Sequence, residues 1–304
     1  MQSIIRFRRL GKQERRSLRN GLLFVSPFLI GFLVFVLYPF LASLYFSFTE
    51  YNVFQSPLWV GISNFKTLFT EDDLFKVSLY NTFYYAVFSI IASMIAGITI
   101  AIFLNSKIKG LSIYRTIYFL PSILPLVASS VLWVWLLNPL YGIVNIMLGW
   151  VGIKGPPWLG DPSWSKPALV IMSTWSSGQT IVILLAGLQG VPDFLYEAAE
   201  IDGANWWHKV RYITLPMLSP IIFFVLIIGM IGAFQYFTQA YVMTNGGPAN
   251  STLFYSLYLY RNAFMYFKMG YASALAWILF IIIFVCTFLT FKTSSWWVYY
   301  ERKK

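Results

Sequence analysis

Side chains able to exchange protons or hold a metal are sparse in this chain, and one stretch collects them. Between positions 191 and 216 lie Asp193, Glu197, Glu200, Asp202 and His208. Acid–base catalysis would need two such groups held at one reacting atom, with a pKa tuned toward the working pH. His208 is the only histidine and Cys286 the only cysteine. A multi-histidine or cysteine metal centre and an internal disulfide are therefore excluded. No G-x-x-x-x-G-K-[ST] loop is present to cradle nucleotide phosphates. The five groups read as a solvated loop, and the chain as a non-catalytic one holding no metal or cofactor of its own.

The same stretch reads as two short helices. Asp193 can cap the first, with Glu197 and Glu200 toward its positive end. Asp202-Gly203 breaks it, since glycine accepts a positive φ. Asp202 or Asn205 can cap the second, which carries Trp206, Val210 and Ile213 at helical spacing. Pro216 restarts the chain toward the next apolar run. Ala198-Ala199 gives the first helix a low profile that can seat in a groove.

What surrounds this loop is apolar. The chain has 304 residues, 58% hydrophobic and 11% charged, against roughly a quarter charged in soluble domains. A helix needs about 20 apolar residues to cross the hydrocarbon core. Segments 21–48, 77–104, 116–137, 167–189, 219–244 and 270–291 meet this. The first is longer than the h-region of a signal peptide and reads as an uncleaved span. Asn245-Gly246-Gly247-Pro248 ends the fifth, and the piece 253–260 is too short to cross, a surface or re-entrant element. The expected fold is all-α: a six-span bundle over 21–291, a basic tail over 1–20 and a second tail over 292–304.

The net charge of +11 does not mark a nucleic-acid partner, because the basic residues sit at the ends of apolar runs and at the termini. Sixteen of the 22 basic residues fall in the two tails and the even-numbered connections. These include Arg6, Arg8, Arg9, Lys107, Arg302, Lys303 and Lys304. The positive-inside bias puts both tails and the 193–216 loop in the cytoplasm of a multi-pass cell-membrane protein. The acidic run Glu71-Asp72-Asp73 then faces outward. No apolar centre holds Asp, Glu, Lys, Arg or His, which counts against proton coupling. Sodium coupling through backbone carbonyls stays open.

Glu197-Ala198-Ala199, then Asp202-Gly203, then Ile213-x-Leu215-Pro216 resemble the EAA signature of ABC importer permeases, with matching spacing and Pro220 completing L-P-x-x-x-P. The resemblance extends along nearly the whole chain. Trp59-Val-Gly61, Asn64-Phe65 and Asn81-Thr82 are similar to the segment before span two of carbohydrate-type permeases. Arg115-Thr116, Phe119-Leu-Pro121, Trp133 and Gly142-x-x-Asn145 are similar to span three, and Trp175-x-x-Gly178 with Ala186-Gly-Leu-Gln189 to span four. Thr244-Asn-Gly-Gly-Pro248 and Gly270-Tyr-Ala-Ser-Ala274 resemble the last two spans. The Thr-Asn-Gly-Gly-Pro segment resembles the MalF-like partner of the heterodimer, in its compact six-span form rather than the form with two extra N-terminal spans and a large outer domain.

The resemblance implies a permease subunit that imports a sugar or oligosaccharide delivered by an extracytoplasmic solute-binding protein. It implies a second, MalG-like permease, a separate ABC ATPase homodimer carrying ATP and Mg, and membrane lipids as partners. Glu197, Ala198, Ala199, Asp202, Gly203, Leu215 and Pro216 would form the ATPase contact. The alternative is a secondary carrier or channel working without an ATPase. Sugars are held by aromatic faces with amide and hydroxyl hydrogen bonds. Span five offers Gln235, Tyr236 and Gln239, and span four Trp175 and Gln179, since amides in lipid turn toward the bundle interior. The MalF resemblance adds Gly232 and Ala233 to this set. The other reading of these residues is helix-to-helix packing.

Overall fold

The computed structural model describes residues 11–106 and 109–299. The basic positions Arg6, Arg8, Arg9, Lys107, Arg302, Lys303 and Lys304 lie outside them. The regular secondary structure of the described residues is helical apart from one short antiparallel pair, β1 (Thr49–Glu50) and β2 (Leu58–Trp59), with Thr49 opposite Trp59. Four helices are long and apolar enough to cross a membrane, or six spans if each of two bent pairs counts as one.

The first span is α1 (Lys12–Ser47), interrupted by a π turn at Leu33–Leu37. The hairpin and α2 (Ser63–Thr70) lead to α3 (Asp73–Leu104), the hub of the bundle. Asp72 starts α3, its Oδ1 accepting from the Phe75 N–H at 2.9 Å. The buried face of α3 carries Ser78, Asn81, Thr82, Tyr85, Ala86 and Ser89. Small and polar groups at that spacing let neighbouring helices approach closely.

Span three is not straight. α4 (Leu111–Ile123) and α5 (Leu126–Leu136) meet at 105°. The cause is Pro125, which forces Leu124 to an extended ψ of 135°. After α6 (Ile143–Trp150), span four comprises α7 (Pro162–Trp175) and α8 (Gly178–Leu188), bent by 44°. Gly178 lies where α8 touches α4: a Cβ there would stand 2.8 Å from Ser122 Oγ and 2.9 Å from the Tyr118 carbonyl oxygen.

Span five also departs from expectation. α9 (Asp193–Ile201) is followed by α10, one helix from Trp206 to Phe234. Pro216 does not restart the chain, because a π turn at Val210–Thr214 precedes it and absorbs the missing N–H and the ring's crowding of the preceding carbonyl. α10 ends at Phe234 rather than near 244, and α11 (Thr238–Met243) turns away to pack on α5. The expected break at Asn245-Gly246 is present, with φ of +43° and +82°.

Of the two expectations for 253–260 the surface one does not hold: the segment is buried inside the protein, as a re-entrant element would be. Leu253, Phe254, Tyr255 and Leu257 are fully buried as the chain enters α12 (Tyr255–Tyr260). It sits between α3 and the last helix, α13 (Met269–Trp297). Thr82 Oγ1 accepts from the Tyr255 N–H at 2.8 Å, and Tyr255 Oη donates to the Leu275 carbonyl at 2.8 Å. Asn81 Nδ2 donates to the carbonyls of Asn250 at 2.8 Å and Leu253 at 3.2 Å. Length showed that the piece could not cross; only these bonds bring it inside.

The contact at Gly178 yields a measurement. Gly178→Val should lower stability in detergent by about 1–3 kcal/mol through overpacking. Gly149→Ala, where nothing lies within 4 Å of the new Cβ, should be neutral or stabilising. Thermal unfolding of the two variants checks the difference.

Candidate functional site

The loop between α8 and α10 is held by local bonds. α9 begins after Pro192, with Asp193 in its first turn and no side-chain cap. Asp193 therefore acts on the helix dipole and not as the expected cap. Glu200 is in the last turn, away from the positive end where it was expected. Lys209 Nζ donates to its Oε1 at 2.6 Å. That hydrogen bond first, and the lysine charge second, hold the Glu200 carboxyl below its ordinary pKa. Glu200 is exposed and Lys209 half-buried, and such a pair at the surface contributes little to stability.

The E-A-A-x-x-D-G spacing has a physical meaning here. The Ala204 N–H donates to the Ala199 carbonyl at 2.8 Å, and the Gly203 N–H to the Glu200 carbonyl at 3.0 Å. These are the two bonds of a Schellman C-cap, which needs a left-handed residue at the position of Gly203. Its φ is +78°. The second helix is capped by Asn205, not Asp202, with Asn205 Oδ1 accepting from the His208 N–H at 2.9 Å. Tyr196 Oη lies 3.1 Å from Thr214 Oγ1 and ties α9 to α10.

This fastening leaves large apolar side chains uncovered: Ile201 is 88% exposed, Phe194 65% and Trp206 63%. Glu197, Ala198, Asp202 and Gly203 are exposed beside them, while Ala199, Leu215 and Pro216 are half-buried. A contiguous exposed apolar patch with a polar rim marks an interaction surface.

The second group of expected residues divides. Gly232 and Gln235 are exposed on one face of α10 and its end, and Trp175 and Gln179 are exposed at the bend of span four. Trp175 meets Trp133 edge to face, with centroids 5.7 Å apart. Gln239 is half-buried. Ala233 and Tyr236 are buried and, contrary to expectation, present no surface to a substrate in this conformation. The Tyr236 ring lies 4.0 Å from that of Tyr85 and 5.3 Å from that of Phe254. Its hydroxyl lies beside that of Tyr85 without a well-formed hydrogen bond. An aromatic ring at that point adds more by filling the core than by facing a pathway.

Two further fastenings escaped the sequence reading. Asp72 Oδ2 accepts from the hydroxyls of Tyr258, at 2.6 Å, and Tyr271, binding the start of α3 to α12 and α13. The roles of Asn81 and Thr82 in clamping residues 250–255 were equally hidden. The available signal was an amide next to a hydroxyl at the edge of an apolar run, where an unpaired amide is costly.

A bundle of membrane-length apolar helices with an uncovered two-helix loop at one end is the build of a multi-pass transport permease. Residues 89–293 match the model of the binding-protein-dependent transport system inner membrane component, and the chain belongs to that family, the permease subunits of ABC importers. It is 43% identical to the probable ABC transporter permease protein YesP of Bacillus subtilis (strain 168), over 96% of this chain and 97% of that one. It is 37% identical to the lactose transport system permease protein LacF of Rhizobium radiobacter, over 93% and 95% of the two chains. A chain in the crystal structure of a bacterial alginate ABC transporter, bound to its alginate pentasaccharide-loaded periplasmic protein, superposes with a TM-score of 0.82 at 25% identity, over 94% of this chain and 97% of that one.

The burial of Tyr236 sets an expected outcome. Tyr236→Phe removes only a buried, poorly paired hydroxyl and should be neutral or slightly stabilising, with transport unchanged. Tyr236→Ala opens a cavity and should cost about 3–5 kcal/mol in stability. Thermal unfolding beside an uptake assay separates this from a substrate contact, for which loss of the hydroxyl alone would slow uptake.

Proposed function

We propose that this subunit imports a sugar or oligosaccharide handed over by an extracytoplasmic solute-binding protein, and that the 193–216 loop docks on a separate ABC ATPase homodimer. The carrying observation is the loop itself. A Schellman cap holds it in one shape while Phe194, Ile201 and Trp206 stay uncovered, which suits insertion into a partner's cleft. Glu197, Ala198, Ala199, Asp202, Gly203, Leu215 and Pro216 form this contact or its support. Similarity to a lactose permease and to an alginate importer supports a carbohydrate as substrate. The chain itself performs no catalysis; ATP and Mg are bound by the ATPase. A second, MalG-like permease completes the pathway, and Gly232, Gln235, Trp175 and Gln179 line this subunit's share of it. Both termini and the loop face the cytoplasm.

Two measurements test this. Cysteines at Asp72 and Trp206, in a Cys286→Ala background, should label with an impermeant reagent from opposite sides of the membrane. Labelling from one side would overturn the orientation. Gly203→Val forces a side chain into the left-handed region at a cost of about 1–2 kcal/mol and distorts the Ala198-Ala199 surface. The variant should still insert but lose ATPase co-purification and uptake together. Full retention of both would refute the role of Gly203.

A further inference from the structure

Lys166 is a half-buried cation with no counter-ion. It lies on α7, one turn past the Asp161 cap. The described residues hold two ion pairs, Lys76–Asp73 and Lys209–Glu200, and Lys166 is in neither. Its Nζ donates to Asn81 Oδ1 at 3.0 Å. The same ammonium stands 4.9 Å and 5.0 Å from the ring centroids of Tyr80 and Tyr84. An ammonium has three N–H donors, and Asn81 takes one. A charge drawn out of water without an opposite charge is costly, and two aromatic faces and an amide offset that only in part.

The surroundings give this cation a use. Tyr80, Phe83, Val87 and Phe88 lie on the exposed face of α3, and α7 and α10 both pack against that helix. On the α10 side Phe83 meets Phe234 edge to face, with centroids 5.1 Å apart, and Gln235 follows at the end of α10. This face of α3 is thus aromatic, with the Lys166 ammonium standing over two of its rings. Aromatic faces accept the apolar face of a sugar ring, and an amide serves its hydroxyls. A neutral sugar has no group that needs the charge. A carboxylate does, and a partly dehydrated ammonium pairs with it far better than one in open water.

We infer that Lys166, with Tyr80 and Tyr84, forms a subsite for the carboxylate of an acidic saccharide, so that the imported substrate is a uronate-containing oligosaccharide. This rests on the sugar-import reading above. The competing role of Lys166 is to orient Asn81, which clamps residues 250–253. That role would serve neutral and acidic substrates alike.

The test uses cells whose only uptake route is the complete importer. The probes are linear trisaccharides of galacturonate, glucuronate and mannuronate, each beside its carboxyl-reduced neutral counterpart, together with lactose and maltotriose. At least one acidic probe should enter faster than its neutral counterpart. Lys166→Met should slow that probe by about tenfold or more, the scale of one lost charge pair, with Lys166→Arg restoring most of the rate. Co-purification with the ATPase serves as the folding control for both variants. Entry of neutral sugars alone would overturn the inference and leave the sugar-import reading standing. Acidic uptake that ignores Lys166→Met would overturn it as well. An equal fall for acidic and neutral probes would mean that Lys166 is only the prop of Asn81. Entry of none of the saccharides would remove both readings.

Discussion

Hydrocarbon offers no water to a peptide group, so every backbone N–H and C=O inside the membrane must find its partner within the protein. A straight helix meets this demand alone. This chain is broken at 124–125, at 176–177 and between 235 and 254, and each break exposes groups that the fold must satisfy. Local bonds close the first two breaks, and the hub helix α3 serves the third where the chain re-enters the core. Asn81 takes the carbonyls of Asn250 and Leu253, and Thr82 the N–H of Tyr255. Lys166 in turn holds the Asn81 oxygen. One amide and one hydroxyl on α3 thereby make an irregular segment compatible with burial, and the segment brings α12 with it.

The breaks have a counterpart in one long continuity. α10 runs unbroken from Trp206 to Phe234, 29 residues, or roughly 44 Å at the helical rise. Its first turn belongs to the exposed two-helix loop and its last to the face carrying Gly232 and Gln235. The π turn at Val210–Thr214 makes this possible by letting Pro216 lie inside the helix. A rigid helix carries displacement along its axis, where a break at Pro216 would dissipate it. The proposed ATPase contact and the proposed pathway are therefore parts of one element.

Charge is used sparingly and at the edges. Asp72 gathers two tyrosine hydroxyls where α3 begins, and Glu200 pairs with Lys209 on the exposed loop. Lys166 departs from this economy, being half-buried with aromatic rings and an amide in place of a carboxylate. An ionisable group held among spans in this way marks a candidate position on a substrate pathway.

Much was legible without coordinates. The all-α class, the membrane-length runs and the two-helix loop with its glycine break follow from local properties. Apolar length sets which segments can cross, and E-A-A-x-x-D-G encodes its own C-cap because both Schellman bonds lie within six residues. Non-local effects were not legible. Segment 116–137 was read as one span with no sign of the bend at Leu124, and Pro216 looked like a boundary until the π turn absorbed it. Tyr236 looked like a sugar platform, yet Tyr85 and Phe254, distant in sequence, enclose it. The burial of 253–260 needed Asn81 and Thr82 from about 170 residues away. Periodicity and capping are written in neighbouring residues, so the elements and the loop could be read from the chain alone. Which face of each helix is covered depends on chain arriving from elsewhere, and so it emerges only when the spans are packed together.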